Sequence, residues 1–294
     1  MLMHLRLRAF LRLALDYFAK DQRLQIGSIQ ILLPSYHKLP KLKATYPKYD
    51  QFLPFLADEF PDDGIVIDIG ANCGDTFASI AIVNPNLKQV VVEPDSEFLK
   101  YLHINIGIIK KRYPELEVSV ISKAILRAHK PFRLVGSSGT KSMDFDQSSE
   151  IIPSQTLDDV LSEVEVAKVC LVKVDVDGFD FEVLLSGLRS LANLKEALIY
   201  FEMDVSDLDQ FEGYLELHGA LLEIGYSQWY LFDNFGNFFQ KSDSYNQITS
   251  VMKYSIGQKN SSKPAIYYFD VLVCRPSQVE KVQRIIENYE NSYG

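Results

Sequence analysis

The chain has 294 residues, of which 47% are hydrophobic and 23% are charged. This composition is typical of a globular protein, and the length suits one large domain with a terminal extension. The formal net charge of −9 argues against nucleic acid as the principal ligand, because phosphate binding needs a positive field. The three cysteines are widely spaced and form no CxxC pair, which predicts a reducing, cytoplasmic location.

The first twenty residues alternate arginines with leucines. Arg6, Arg8 and Arg12 interrupt the apolar stretches, so the pattern predicts neither a transmembrane helix nor a secretory signal. It favours an amphipathic helix, for which two partners stay open. The helix can pack its leucine face onto the main domain or a second subunit, or it can make a peripheral contact with an anionic membrane surface.

Prolines recur at nearly regular spacing through the next forty residues, at positions 34, 40, 47, 54 and 61. They predict a winding segment without long helices. We therefore expect residues 1–60 to be an N-terminal extension, consisting of the amphipathic helix and a lid or dimerisation arm. Residues 61–294 are expected to form the main domain.

From residue 64 onward, short β-branched runs alternate with stretches of helical periodicity, as in βαβ units. Strands are predicted at residues 65–70, 89–93, 117–122, 169–175 and 197–203, followed by a hairpin around residues 234–237 and a last strand in IYYFDVLVCRP. Helices are predicted at residues 75–83, 96–110, 156–164, 181–194 and 208–224. The expected fold is α/β and Rossmann-like: a doubly wound, mostly parallel seven-stranded sheet with an antiparallel C-terminal strand.

The first strand ends in VIDIGANCGDT, where Gly70 and Gly74 permit a tight turn that brings backbone N–H groups close to a ligand. The turn is not the dinucleotide pattern, because Asn72 replaces its second glycine and a third glycine is missing. Asp68 before the turn would repel a phosphate and suits a ligand with an ammonium group.

Glu93 ends the second strand, 25 residues after Asp68. This is close to the interval of about 20 residues expected for an acid that accepts ribose hydroxyls. The pair favours a nucleoside site, although the glycine turn alone is equally a simple strand-to-helix connection.

The fourth strand ends in VKVDVDGFDFEVL, which is rich in acids. Asp175 and Asp177 point the same way if the strand continues through both, and they suit a general base or a divalent cation. Lys173 precedes them on the same face and is expected to pair with a carboxylate. Asp180 and Glu182 are expected only to cap the next helix.

For three further groups of residues, a functional role is compared with a purely structural one. Glu202 and Asp204 end the fifth strand, where acids also simply begin helices. The histidines have no metal-binding spacing, so no histidine-built metal site is predicted. An aromatic cluster fits core packing better than it fits a wall on which a sugar ring stacks. Its members are Tyr226, Trp229, Tyr230, Phe232, Phe235, Phe238 and Phe239.

Three blocks resemble the FkbM family of methyltransferases: VIDIGANCGDT, VVVEPDSEFLKYLHIN, and TLDDVL followed by LVKVDVDGFDFEVLLSGL. The resemblance covers about residues 64–203. It implies S-adenosylmethionine as cofactor and a strand-end motif near the transferred methyl, with Lys173 and Asp175 as catalytic residues. The implied cofactor-binding residues are Asp68, Gly70, Asn72, Gly74, Thr76, Glu93 and Asp95. Asp177 and Asp180 stand where the family more often has glutamate.

The predicted function is methyl transfer from S-adenosylmethionine, to a hydroxyl of a small molecule or saccharide in polysaccharide or secondary-metabolite biosynthesis. Use of a divalent metal and formation of a homo-oligomer are left open. Alternatives are a metal-dependent glycosyltransferase that uses Asp175 and Asp177, a non-catalytic scaffold with the same fold, and last an NAD-dependent oxidoreductase.

Overall fold

The computed structural model describes residues 20–127, 133–135, 142–144, 153–259 and 264–293. The predicted amphipathic helix at the N-terminus lies outside these residues. Most of the polar loop between residues 137 and 149 also lies outside them.

The central element is one eight-stranded sheet. In chain order the strands of the protein are β1 (Gln22–Ile26), β2 (Ile29–Leu33), β3 (Ile65–Ile69), β4 (Lys88–Val92), β5 (Val118–Ile121), β6 (Ala124–Ile125), β7 (Arg133–Val135), β8 (Ser142–Asp144), β9 (Ser154–Gln155), β10 (Val169–Val174), β11 (Leu198–Met203), β12 (Gln228–Asp233), β13 (Phe238–Ser242) and β14 (Phe269–Cys274). The sheet order is β13-β12-β14-β11-β10-β3-β4-β5.

The strand directions match a doubly wound fold. Five neighbouring strands of the sheet, β11, β10, β3, β4 and β5, pair in parallel. Strand β14 is antiparallel to both of its neighbours, and β13 is antiparallel to β12. The fold class is therefore confirmed, including the antiparallel C-terminal strand. The count differs from the seven strands expected, because both arms of the aromatic hairpin join the sheet beside β14.

The chain leaves β3 toward β4 and β5 on one side and returns to β10 and β11 on the other. The order thus reverses between β3 and β10, and ligands of such sheets bind in the crevice beyond the carboxyl ends of the strands at that point. Every residue of β3 and β10 is buried, as expected for central parallel strands covered on both faces.

Helices pack on both faces of the sheet. Their bounds are Leu39–Thr45, Phe52–Asp58, Asp75–Val83, Ser96–Arg112, Leu157–Ser162, Asp180–Leu185, Leu188–Leu191, Leu208–Glu223, Tyr245–Lys259 and Val279–Asn291. The single helix predicted at residues 181–194 is wrong, because the chain forms two short helices that meet at Ser186 and Gly187. A Cβ atom at Gly187 would strike the Leu157 side chain. The junction of the two helices therefore lies in close contact with the helix Leu157–Ser162.

The described part of the N-terminal segment is a hairpin, β1–β2, followed by two helices of seven residues. Pro40 and Pro54 lie in the first turns of these helices, where a missing N–H costs little. Ile31, Leu33 and Leu56 are almost fully buried against the main domain. This segment therefore contributes to the hydrophobic core.

Within the described ranges, no helix has the length and apolarity that crossing a membrane requires.

Candidate functional site

The glycine turn after β3 forms a tight bend with three left-handed residues. Gly70 has φ 79°, Asn72 has φ 48° and Gly74 has φ 85°. A side chain at Gly70 would collide with the backbone carbonyl of Asp175, so only glycine lets the ends of β3 and β10 approach this closely.

The N–H groups of the bend are used inside the protein. Gly70 and Ala71 donate to the carbonyl of Val92, at 3.0 and 2.9 Å, and Gly74 donates to Ala71. The expectation that this turn itself offers N–H groups to a ligand is therefore wrong. Donors are available one step later, because the first-turn N–H groups of the helix Asp75–Val83 have no partner within the helix.

Glu93 locks the bend from the end of β4. Its two carboxylate oxygens accept the N–H groups of Asn72 and Asp95, each at 2.8 Å. The side chain is 5% exposed, and burial raises its pKa to about 7 although both N–H bonds favour the charged form. Each oxygen keeps a second lone pair that can accept a hydroxyl.

Asp95 begins the helix Ser96–Arg112. Its Oδ1 accepts the N–H groups of Glu97 and Phe98, both at 3.0 Å, in a normal helix N-cap. Its predicted place beside an adenine stays a prediction.

Lys173 pairs with two carboxylates across neighbouring strands. Its Nζ lies 2.9 Å from Asp68 Oδ1 and 3.4 Å from Asp175 Oδ2, and it donates to the Gly70 carbonyl at 3.2 Å. Burial alone lowers the pKa of Lys173, but the two carboxylates outweigh burial and the net pKa is raised. The two carboxylates therefore favour the charged form of Lys173.

The two partners of Lys173 differ in access. Asp68 is fully buried, whereas the Asp175 side chain is 48% exposed. Asp175 is thus the carboxylate of this trio that an incoming molecule can reach.

A cavity of about 500 Å³ lies at this edge of the sheet. Its wall includes five of the predicted site residues, namely Gly70, Asn72, Thr76, Lys173 and Asp175. Asp68, Gly74, Glu93 and Asp95 are not on its wall. Asp68 pairs with Lys173, and Glu93 holds the bend through the N–H of Asn72.

The rest of the cavity wall comes from segments that the sequence motifs do not include. It is lined by His37, Lys38, Leu39, Leu42, Tyr46, Tyr49, Asp50 and Leu53 from the N-terminal segment, and by Asn234, Phe235, Tyr267, Tyr268 and Asp270 from the C-terminal strands. The only sequence signal that Asp270 could belong to the site is that it is an acid within the apolar run of the last strand.

His37 connects the N-terminal segment to the bend. Its Nδ1 accepts the N–H of Leu39 at 3.2 Å, and its Nε2 lies 3.2 Å from Asn72 Oδ1. Because Nδ1 is an acceptor, the proton of the neutral ring is on Nε2 and is donated to Asn72.

The strand-end acids do not share one face. Strand β10 ends at Val174, and Asp177 has a left-handed φ of 52°, so the strand alternation that would align Asp177 with Asp175 does not continue. Asp180 and Glu182 lie in the first turn of the helix Asp180–Leu185, where they favour its dipole as expected, but neither side chain caps the helix. Asp180 is fully buried and accepts the N–H groups of Val176 and Glu202, while Glu182 pairs with Arg127.

Two acids at the end of β11, Glu202 and Asp204, also line the cavity. Glu202 is half-buried, and Asp204 forms an ion pair with Lys259 at 2.9 Å.

His218 and most of the aromatic cluster are structural. His218 is buried, accepts the indole N–H of Trp229 at 3.1 Å, and burial lowers its pKa to about 3. Tyr226, Trp229, Tyr230 and Phe232 belong to the core, as the packing interpretation predicted, whereas Phe235 reaches the cavity. No set of three or more potential ligands among the described residues is arranged to hold a metal ion.

The residues present fit S-adenosylmethionine. A left-handed glycine bend lets a bulky ligand approach the backbone, and Glu93 has lone pairs left for ribose hydroxyls. Thr76 and the first turn of its helix offer donors to a carboxylate, and the acids nearest the bend, Asp75 and Asp175, suit the positive sulfonium and ammonium groups.

Comparison with known proteins identifies the family. The family model for the methyltransferase FkbM domain matches residues 68–228, which is more than half of the chain. The chain therefore belongs to the FkbM methyltransferase family. A search of curated proteins finds no match.

Solved structures of low identity share parts of the fold. One is methyltransferase FkbM from Methylobacillus flagellatus KT, with 12% identity and a TM-score of 0.39, covering 81% of this chain and 59% of that one. Another is precorrin-6y C5,15-methyltransferase from Geobacter metallireducens GS-15, with 12% identity and a TM-score of 0.40, covering 76% and 86%. The plantazolicin methyltransferase BamL, in complex with a substrate analogue and S-adenosylhomocysteine, has 11% identity and a TM-score of 0.41, covering 77% and 82%.

Proposed function

We propose that the protein transfers a methyl group from S-adenosylmethionine to a hydroxyl of a small molecule or saccharide. The observation that carries this proposal is the cavity at the point where the strand order reverses. The glycine bend and the Lys173–Asp175 pair both line this cavity, and Glu93 supports the bend from behind. Family membership supplies the reaction class.

The bound cofactor would supply an electrophilic methyl group. Gly70, Asn72 and Thr76 would contact it, and Glu93, which is 5% exposed beside the bend, would accept ribose hydroxyls on its remaining lone pairs. Holding both reactants in one cavity makes the reaction effectively intramolecular, which is the main source of acceleration for such a transfer.

Asp175 is the proposed general base. It is the solvent-accessible carboxylate of the Lys173 trio, so it can reach an acceptor hydroxyl and remove its proton. Lys173 holds this carboxylate in place from 3.4 Å and places one positive charge beside it. Lys173 itself would act by positioning and charge.

The test combines cofactor binding with turnover. Isothermal titration with S-adenosylhomocysteine measures binding, and transfer of labelled methyl groups to fractionated extracts of the source cell measures activity. Asp175→Asn should bind the cofactor product as wild type does and lose about 10²–10⁴-fold in turnover, the usual contribution of a general base. Full turnover in this variant would remove Asp175 from the mechanism.

Cytoplasmic location and biosynthetic use remain part of this proposal. They rest on three free, buried cysteines and on family membership. We infer no nucleic-acid substrate, since the wall of the cavity is acidic.

A further inference from the structure

The cavity extends beyond the bend into a second region with walls of its own. One wall is the N-terminal stretch Tyr46–Asp50, and the other consists of Phe235 and the stretch Tyr267–Asp270. The rings of Tyr46 and Phe235 pack with centroids 4.3 Å apart, and the hydroxyls of Tyr49 and Tyr268 lie 3.5 Å from each other. These contacts close the end of the cavity, and the region described here is the open space on their inner side, which Asp50, Tyr200 and Asp270 also line.

The N-terminal wall is firmly attached. Tyr289 donates its hydroxyl hydrogen toward the carbonyls of Gly236, at 2.6 Å, and Lys48, at 3.2 Å. Lys48 also forms an ion pair with Glu290 at 2.9 Å. The C-terminal helix thus fixes the wall to the hairpin turn, so this region is a preformed pocket of the kind that binds small molecules.

The floor of this region is polar although it is largely buried. Tyr200 is 9% exposed, lines the cavity, and has its hydroxyl against the carboxylate of Asp270. Burial first, and then the charges of Asp50 and Asp175, raises the pKa of Asp270. A buried carboxyl group with a raised pKa gains stability from any ligand that brings a positive charge, because that charge favours its ionised form.

The charges around this region do not balance. Among the described residues, seven carboxylates and two lysines line the cavity. Lys173 is shared by Asp68 and Asp175, so its single charge offsets only one of the two, and Lys259 offsets Asp204. Within the described ranges, Asp50, Glu202 and Asp270 form no ion pair with a basic side chain.

We propose that this region, between Tyr46–Asp50 and Tyr267–Asp270, is the acceptor subsite and that the acceptor carries a protonated amine. The inference rests on the proposed methyl transfer, since it places the acceptor beside Asp175. The aromatic side chains pack on the apolar faces of a ring, and Asp50 and Asp270 receive the ammonium group. Anionic acceptors are repelled by the same carboxylates.

The experiment uses the full chain saturated with S-adenosylhomocysteine. Ligand-observed NMR measures the Kd of three probes that share one ring and differ in charge: glucosamine, N-acetylglucosamine and glucuronate. We expect glucosamine to bind about tenfold tighter than the neutral probe, and glucuronate more weakly still.

The double variant Asp50→Asn with Asp270→Asn tests the residues. It should reduce the preference for glucosamine over N-acetylglucosamine to about one, and leave the affinity for S-adenosylhomocysteine unchanged. The matched control is Asp58→Asn with Asp62→Asn, which removes the same charge from exposed positions outside the cavity and should keep the preference.

Three results would overturn the inference: no preference in the wild type, a preference for the neutral or anionic probe, or no binding of any probe at millimolar concentration. A preference that survives the double variant would overturn the assignment to Asp50 and Asp270. Failure of S-adenosylhomocysteine to bind at the outset is a separate result, which contradicts the proposed function and not the charge of the acceptor.

Discussion

At the scale of single residues, the site depends on a few positions with unusual constraints. Gly70 combines a left-handed backbone with close contact to the carbonyl of Asp175, and Asp50 is an acid held near other acids. Both constraints arise where separate strands and segments meet. They determine whether a substitution at either position stabilises or destabilises the folded protein.

Gly70→Ala should destabilise the fold and abolish cofactor binding. Its Cβ would strike the backbone of Asp175, and a left-handed alanine costs about 1–2 kcal/mol before any steric clash is counted. The matched control is Gly107→Ala in the helix Ser96–Arg112, where a Cβ meets nothing within 4 Å. This substitution should stabilise the folded protein by about 0.5–1 kcal/mol. Urea denaturation measures both, and a Gly70→Ala protein as stable as wild type would contradict the close packing of β3 on β10.

Asp50→Asn should change how stability depends on pH. Burial raises the folded-state pKa of Asp50 from 3.8 to about 7. Between pH 3.8 and about 7, the folded state holds a proton that the unfolded state releases. The wild type therefore loses stability as the pH rises through this range. Asparagine has no charge and tolerates the left-handed φ of 52°.

Thermal unfolding at pH 4 and pH 8 tests this. The difference in Tm between Asp50→Asn and wild type should be small at pH 4 and favour the variant at pH 8. Asp62→Asn, at an exposed position, should show no such trend. A variant that is less stable than wild type at pH 8 would show that Asp50 is stabilised as a carboxylate.

At the scale of elements, sequence patterns predicted the strands and helices around the proposed cofactor site. Hydrophobic runs predicted β3, β4, β10 and β11, and the acid at the end of each strand marked the edge of the sheet where the cavity lies. Local patterns failed where tertiary contacts decide. They did not predict the break at Gly187, which depends on contact with Leu157, or the cavity wall at Tyr49 and Tyr268, which are far apart in the sequence.

Asp180 connects two of these elements and should be important for stability. Its carboxylate accepts the N–H of Val176 at 3.2 Å and the N–H of Glu202 at 3.0 Å, which joins the loop after β10 to the end of β11. Asp180→Ala leaves both groups unsatisfied and should cost about 2–4 kcal/mol in urea denaturation. Asp207→Ala removes a single exposed helix cap and should cost about 1 kcal/mol; equal losses would contradict the connecting role of Asp180.

At the scale of the whole molecule, the N-terminal segment is structurally part of the main domain. Phe52 and Leu56 pack in the same core cluster as residues of β11, β14 and the C-terminal helix. The prolines correctly predicted the lack of long helices, but the burial of this segment depends on partners distant in the sequence. We interpret residues 20–60 as a fixed wall of the cavity; their use as a lid or a dimerisation arm stays untested.

A chain that begins at residue 61 should therefore fail to fold stably. It would expose the apolar surface that Ile31, Leu33 and Leu56 cover, at a cost of about 2–5 kcal/mol for each large side chain lost. A chain that begins at residue 20 is the control and should unfold cooperatively. If both show the same Tm in thermal unfolding, the segment is a dispensable extension.

The central claim is that the bend and Glu93 bind S-adenosylmethionine. Isothermal titration of S-adenosylhomocysteine into the wild type and into Glu93→Gln tests it most directly, because glutamine offers one acceptor oxygen where the carboxylate offers two. We predict saturable one-to-one binding by the wild type and a loss of affinity of at least about tenfold in the variant. Binding that is absent in the wild type, or equally tight in both proteins, would contradict the account.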